Sequence, residues 1–277
     1  MEKSWDISEK TVLITGSTDG IGKQTAFEIA KKQAKIIIHG KNTGKLKNTV
    51  DEIMNKTRNK NIDYIKGDLS SLREIENMGN LIKEKYDKID VLINNAGVFS
   101  HKKIITEDGF ELTFQVNYLS HFYLTYLLFD LLKKDNLSRI INVSSMAHSS
   151  NLDFDNIQGE LNYNGYTAYS YSKLLNILFT FELSDRIKDT AITVNCLHPG
   201  VINTKLLRDG WGFGGNSVKE GAKTSVYLAS SEDVSNITGE YFVNKKIVRP
   251  ASIALNKEIR KKIWKLSEKL LKIKFDI

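Results

Sequence analysis

Short β-branched apolar runs alternate with longer helical stretches along most of this chain. Runs at 11–15, 35–39, 62–65, 89–93, 139–143 and 191–197 read as strands. Helical patterns span 21–32, 43–57, 72–86, 114–132 and 169–187. Strand and helix alternate through the first 200 residues. That order predicts an α/β fold: parallel strands joined by right-handed crossovers, with helices on both faces of a doubly wound sheet. Ligands of such sheets bind beyond the carboxyl ends of the strands, near the switch in strand order.

The 277 residues, 41% hydrophobic and 26% charged, fit one soluble domain over 1–277. Residues 10–200 form its core, 201–235 a substrate loop and helix, and 256–275 an amphipathic helix. The two prolines, Pro199 and Pro250, mark no linker. The lone Cys196, in an apolar run, reads as a buried thiol. The charged amino terminus lacks a signal-peptide pattern and no apolar run is long enough to span a bilayer, so a cytoplasmic location is expected. The net charge of +7 is spread along the chain without a nucleic-acid motif, so no nucleic-acid partner is expected, and it suits a cofactor carrying phosphates.

Between the first strand and first helix lies Thr15-Gly16-Ser17-Thr18-Asp19-Gly20-Ile21-Gly22. Gly16, Gly20 and Gly22 permit a tight turn and a close approach of backbone to a pyrophosphate at the helix amino terminus. The rival is an ordinary βα turn. No Gly-Lys-Ser/Thr follows, which separates the loop from NTPase phosphate loops. The second strand ends His39-Gly40-Lys41-Asn42, with a lysine where NAD binders place an acid. NADP(H) is therefore favoured over NAD(H), although Asp19 argues mildly the other way and Lys41 has a solvated-surface rival. Tyr169 and Lys173, at i and i+4, share one helix face. An ammonium there would stabilise the phenolate and fit the tyrosine for proton transfer. Tyr163, Tyr166 and Tyr171 have Thr167, Ser170 and Leu175 at i+4, so only Tyr169 has a basic partner.

In this order, the glycine loop, Asp68-Leu69, Asn94-Asn95-Ala96-Gly97, Asn117, Ser144-Ser145, Tyr169-x-x-x-Lys173 and Pro199-Gly200 resemble the short-chain dehydrogenase/reductase family. The resemblance covers about residues 10–271. Asn142–His148, Tyr169–Leu174, Gly239–Val243 and the tail Ile263–Leu270 are most similar to the retinol dehydrogenase-like and WW-domain-oxidoreductase-like branch. It implies a Rossmann-type sheet of about seven strands and an oxidoreductase acting on a small carbonyl or alcohol. By that resemblance Tyr169 is the acid/base, Lys173 lowers its pKa and binds the nicotinamide ribose, Ser145 stabilises the oxyanion, and Asn117 holds a relay water. Alternation leaves Ser144 as the rival of Ser145. The cofactor would contact Gly16–Gly22, Lys41, Asp68, Leu69, Asn94, Asn95, Ala96, Gly97, Tyr169, Lys173, Pro199, Gly200, Val201, Ile202 and Thr204.

Trp211 and Phe213 follow in a glycine-rich segment that either covers an apolar substrate or forms a surface loop. The connection 148–167 either shapes the pocket or lies at the surface. The tail carries a stripe of Ile259, Ile263, Leu266, Leu270 and Ile273 opposite lysines and Arg260. Packing on its own fold or a subunit, giving a possible homo-oligomer, is the first reading, and peripheral membrane contact is the second. His39, His101, His121, His148 and His198 show no metal-ligand spacing, so no metal is expected. Two rivals to a carbonyl oxidoreductase are a catalytically idle NADP-binding partner protein and a sugar-nucleotide epimerase. The chain leaves little room for the latter's larger substrate domain.

Overall fold

In the computed structural model, which describes residues 5–134, 137–212 and 214–277, the buried strands are continuous apolar runs because both faces of the sheet are covered. Along β1 (Thr11–Ile14), Leu13 enters one core while Val12 and Ile14 enter the other. The same alternation divides Ile37 from Ile36 and Ile38 in β2 (Lys35–Gly40), and Leu92 from Val91 and Ile93 in β4 (Val91–Asn94). β3 (Ile62–Lys66), β5 (Arg139–Val143), β6 (Thr193–His198) and β7 (Tyr241–Val243) extend the parallel sheet. The order is β3-β2-β1-β4-β5-β6-β7-β8. The eighth strand, Lys246–Ile247, pairs antiparallel through a two-residue turn at Asn244 and Lys245, both at positive φ. It adds one short edge strand to the seven expected.

Helices α1 (Gly20–Ala30), α2 (Thr43–Thr57) and α8 (Val218–Ser230) lie on one face. On the other lie α3 (Leu72–Lys85), α5 (Ser120–Lys133), α6 (Gly165–Arg186) and α9 (Lys257–Leu271). The single helix expected over 114–132 is composite. A short α4 (Leu112–Phe114) leads into a π turn, Gln115–Leu119, and then α5. Helix α6 starts at Gly165, four residues before Tyr169, because Asn164 caps the Tyr166 and Thr167 amides. The tail stripe packs inward: Trp264 is 1% exposed, and Ile259, Leu266, Leu270 and Ile273 sit against the same core. The amphipathic face of α9 thus packs against its own protein. Among the described residues, no helix is long and apolar enough to cross a membrane.

Candidate active site

The sheet reverses its winding between β1 and β4, and a cavity of about 520 Å³ opens along the carboxyl ends of β1 to β6. One end is built by the glycine loop. Gly16 adopts φ +62°, and a Cβ there would meet the Ala96 Cα at 2.9 Å. At Gly22 a Cβ would lie 2.4 Å from both the Asn95 Nδ2 and the Gly16 carbonyl oxygen. These positions therefore need glycine. Asp19 caps α1, accepting from the Gly20 amide at 2.7 Å, and so spends part of its charge on the helix end. Bare backbone at a helix amino terminus, open to a cavity of this size, fits the phosphates of a dinucleotide.

Most of the expected cofactor contacts line this cavity: Gly16, Thr18, Asp19, Gly20, Ile21, Gly22, Lys41, Asp68, Leu69, Asn95, Ala96, Gly97, Tyr169, Lys173, Pro199, Gly200, Val201, Ile202 and Thr204. Two do not. Ser17 is wholly buried; its hydroxyl donates to the Ile14 carbonyl at 2.7 Å and accepts from the His39 amide at 2.9 Å. Asn94 turns into the interior, donating to Thr125 and Asn142. Ser17 and Asn94 thus brace the loops that carry the contacts.

At the lysine end, Lys41 is 72% exposed and forms an ion pair of 3.1 Å with Asp68. Burial pushes the Asp68 carboxyl up, but the Ser70 hydrogen bonds and the Lys41 ammonium outweigh it and hold the group below its ordinary value. The two residues expected to contact the cofactor separately are therefore partners here.

Ser145, Tyr169 and Lys173 meet at the end of β5. Burial pushes the Tyr169 phenol up to about 12, and a hydrogen bond with Ser145 offsets part of this. Burial lowers Lys173 to about 8. Its Nζ donates to the Val143 carbonyl at 3.0 Å and lies 5.5 Å from the centre of the Tyr169 ring. The expected acidification of the phenol by its i+4 ammonium is absent, because the amine is turned to the backbone. At neutral pH the phenol keeps its proton and the lysine is mostly charged. Ser144 also touches the cavity, but its hydroxyl donates to the Lys173 carbonyl at 2.7 Å, which leaves Ser145 facing the phenol.

Asn117 does not line the cavity. It occupies the π turn, where its carboxamide accepts from the Val98 amide at 2.7 Å and donates to the Val98 carbonyl and the Ser172 hydroxyl, both at 3.0 Å. Its main-chain oxygen accepts from Asn176. π turns recur at functional sites, but no sequence signal announced this one.

The far wall is apolar. Leu112, Val116, Met146, Leu206, Leu207 and Trp211 line it, and the Trp211 ring stands edge-on to Tyr169 at 5.3 Å. Trp211 ends α7 (Lys205–Trp211), tied down by the Tyr166 hydroxyl, which donates to the Gly210 carbonyl at 2.7 Å. Phe213 lies outside the described residues. None of the described residues from 148 to 167 lines the cavity; Tyr163 instead donates to the Ser100 carbonyl. His39, Gly40, Gly67 and His198 line the cavity without having been expected to, although Gly40, Gly67 and His198 each adjoin a residue that was.

The short chain dehydrogenase family's sequence profile matches residues 10–211. Retinol dehydrogenase 13 of Homo sapiens is 39% identical, over 96% of this chain and 85% of its own length. Retinol dehydrogenase 12 of Mus musculus is 37% identical, over 98% and 89%. A solved structure of an uncharacterized protein from Mycobacterium paratuberculosis superposes with a TM-score of 0.82 at 29% identity, covering 99% of this chain and 98% of that one. A short chain dehydrogenase from Salmonella enterica shares the fold, with a TM-score of 0.72 at 22% identity over 89% and 100%. The chain belongs to the short-chain dehydrogenase/reductase family, as an oxidoreductase of its retinol dehydrogenase-like branch.

Proposed function

We propose that this protein is an NADP(H)-dependent oxidoreductase interconverting an aldehyde or ketone with its alcohol on an apolar substrate. The observation that carries this reading is the meeting of Ser145, Tyr169 and Lys173 in the cavity whose other end is the glycine loop. A nicotinamide cofactor, when bound, supplies or accepts the hydride. In reduction, Tyr169, which holds its proton in the ligand-free site, gives that proton to the carbonyl oxygen. The Ser145 hydroxyl donates to the same oxygen as charge develops there. For Lys173 to bind the cofactor ribose and supply positive charge beside the phenolate that remains, its amine swings from the Val143 carbonyl toward the cavity. Asn117 acts through others: it fixes Val98 and Ser172, the latter next to Lys173.

Lys41 supports NADP(H), since an exposed ammonium at the end of β2 suits a 2′-phosphate. The apolar wall around Trp211, together with relatives named for retinol, makes long-chain and polyene aldehydes the first substrates to try. The test follows NADPH consumption with a panel of aldehydes and ketones, for the native protein and Tyr169→Phe. The variant is expected to lose at least about 100-fold in kcat. Equal rates would end the assignment of Tyr169, and no turnover of any carbonyl would favour an idle cofactor-binding protein.

A further inference from the structure

His39, in β2, is 3% exposed and spans two loops that meet at the glycine end of the cavity. Its Nδ1 accepts from the Gly16 amide at 3.0 Å, and its Nε2 lies 3.1 Å from the Gly67 carbonyl oxygen. An amide N–H can only donate and a carbonyl can only accept. Nδ1 must therefore be bare and Nε2 must carry hydrogen, so one neutral tautomer satisfies both loops. The His39 backbone is locked as well: its carbonyl accepts from the Ser17 amide at 2.9 Å, and its amide donates to the Ser17 hydroxyl. Burial favours the neutral ring, pushing its pKa down to about 4.

Gly16 opens the loop at the head of α1, and Gly67 precedes Asp68, the partner of Lys41. The imidazole is thus a strut between the phosphate end and the adenosine end. We infer that His39 is a positioning residue of the dinucleotide site, holding the glycine loop and the loop after β3 at a fixed separation before the cofactor binds. This rests on reading the cavity as a nicotinamide dinucleotide site. The physical effect is preorganisation: without the ring, the half-buried Gly16 amide and the buried Gly67 carbonyl lose their partners and the loops must be ordered at the expense of binding.

The test uses the full chain with three substitutions: His39→Ala, which removes both bonds; His39→Asn, which restores an acceptor near Nδ1; and His39→Gln, which restores a donor near Nε2. NADPH affinity is measured by titration, alongside the NADPH KM and kcat and the unfolding midpoint of the ligand-free protein. His39→Ala is expected to weaken NADPH binding at least tenfold and to raise its KM in parallel, with a much smaller change in kcat. Asn or Gln recovers part of the loss. A folded His39→Ala protein that binds NADPH within twofold of native overturns the inference, as does a loss confined to kcat. Should His39→Ala fail to fold, native-like NADPH affinity in both Asn and Gln variants overturns it equally. Tight binding by the native protein upholds the cofactor reading whatever His39 does. Absence of native binding defeats both.

Discussion

Lys41 shows how little an exposed ion pair fixes and how much a ligand can take from it. Its 3.1 Å contact with Asp68 is made by a lysine 72% exposed, where water and salt reduce the attraction to a fraction of a kcal/mol. An incoming 2′-phosphate offers denser charge and further acceptors, so the ammonium changes partners at small cost. A charge-assisted contact of this kind contributes about 1.5–3 kcal/mol, roughly ten- to a hundredfold in affinity. Lys41→Glu is therefore expected to lower the ratio of kcat/KM for NADPH over NADH at least tenfold, chiefly through the NADPH KM. A ratio unchanged by this substitution would show that the 2′-phosphate is recognised elsewhere.

Helix α9 illustrates what a sequence stripe means once its partner is known. Trp264 packs against Phe122 at 4.9 Å, against Phe275 at 5.2 Å, and under the Arg186 guanidinium at 4.2 Å, in the core that also supports α6. Trp264→Ala should cost about 3–5 kcal/mol in urea unfolding, while Trp264→Phe, which keeps a ring in the cluster, should cost much less. A loss below about 1 kcal/mol would mean that α9 is dispensable to the core. The strands and most helices were legible because their own residues carry the signal, as in Ile36-Ile37-Ile38, which fills both faces of the sheet at once. The cavity contacts were legible for a related reason: they sit at strand ends, where the topology must bring them together. What escaped depends on partners far along the chain. The π turn at Asn117 is fixed by Val98 and Ser172, the inward turn of Ser17 by His39, and the amine of Lys173 by Val143. No local spacing encodes those contacts, and the i+4 rule that found Lys173 could not say where its amine points.

Taken as one folding unit, the protein carries an acid sensitivity in its interior. His39 and His198 are each pushed down to about 4 and His121 to about 3, with burial the leading cause in all three and the Lys173 ammonium adding to it at His121. In the unfolded chain these rings titrate near 6.5. Between 6.5 and about 4 the unfolded chain thus binds protons that the native state refuses, so stability falls as pH falls. Each ring contributes a slope of about 1.4 kcal/mol per pH unit, up to roughly 4 for the three together. Asp63 and Asp68 do not obscure this window, whereas Glu240, whose carboxyl burial pushes up, works against the decline. Burial pushes Asp63 and Asp68 up, but hydrogen bonds from Lys85 and Tyr86 to the first, and from Ser70 and Lys41 to the second, hold both below their ordinary values. Their stabilising contribution is present above the unfolded carboxylate pKa and is lost only below about 4. Urea unfolding at pH 7, 6 and 5 should therefore show a steep decline, and His121→Asn, which removes one of the three rings at a position away from the cavity lining, should reduce that slope by about a third. A native protein as stable at pH 5 as at pH 7, or a slope untouched by His121→Asn, would show that these rings accept protons inside the fold.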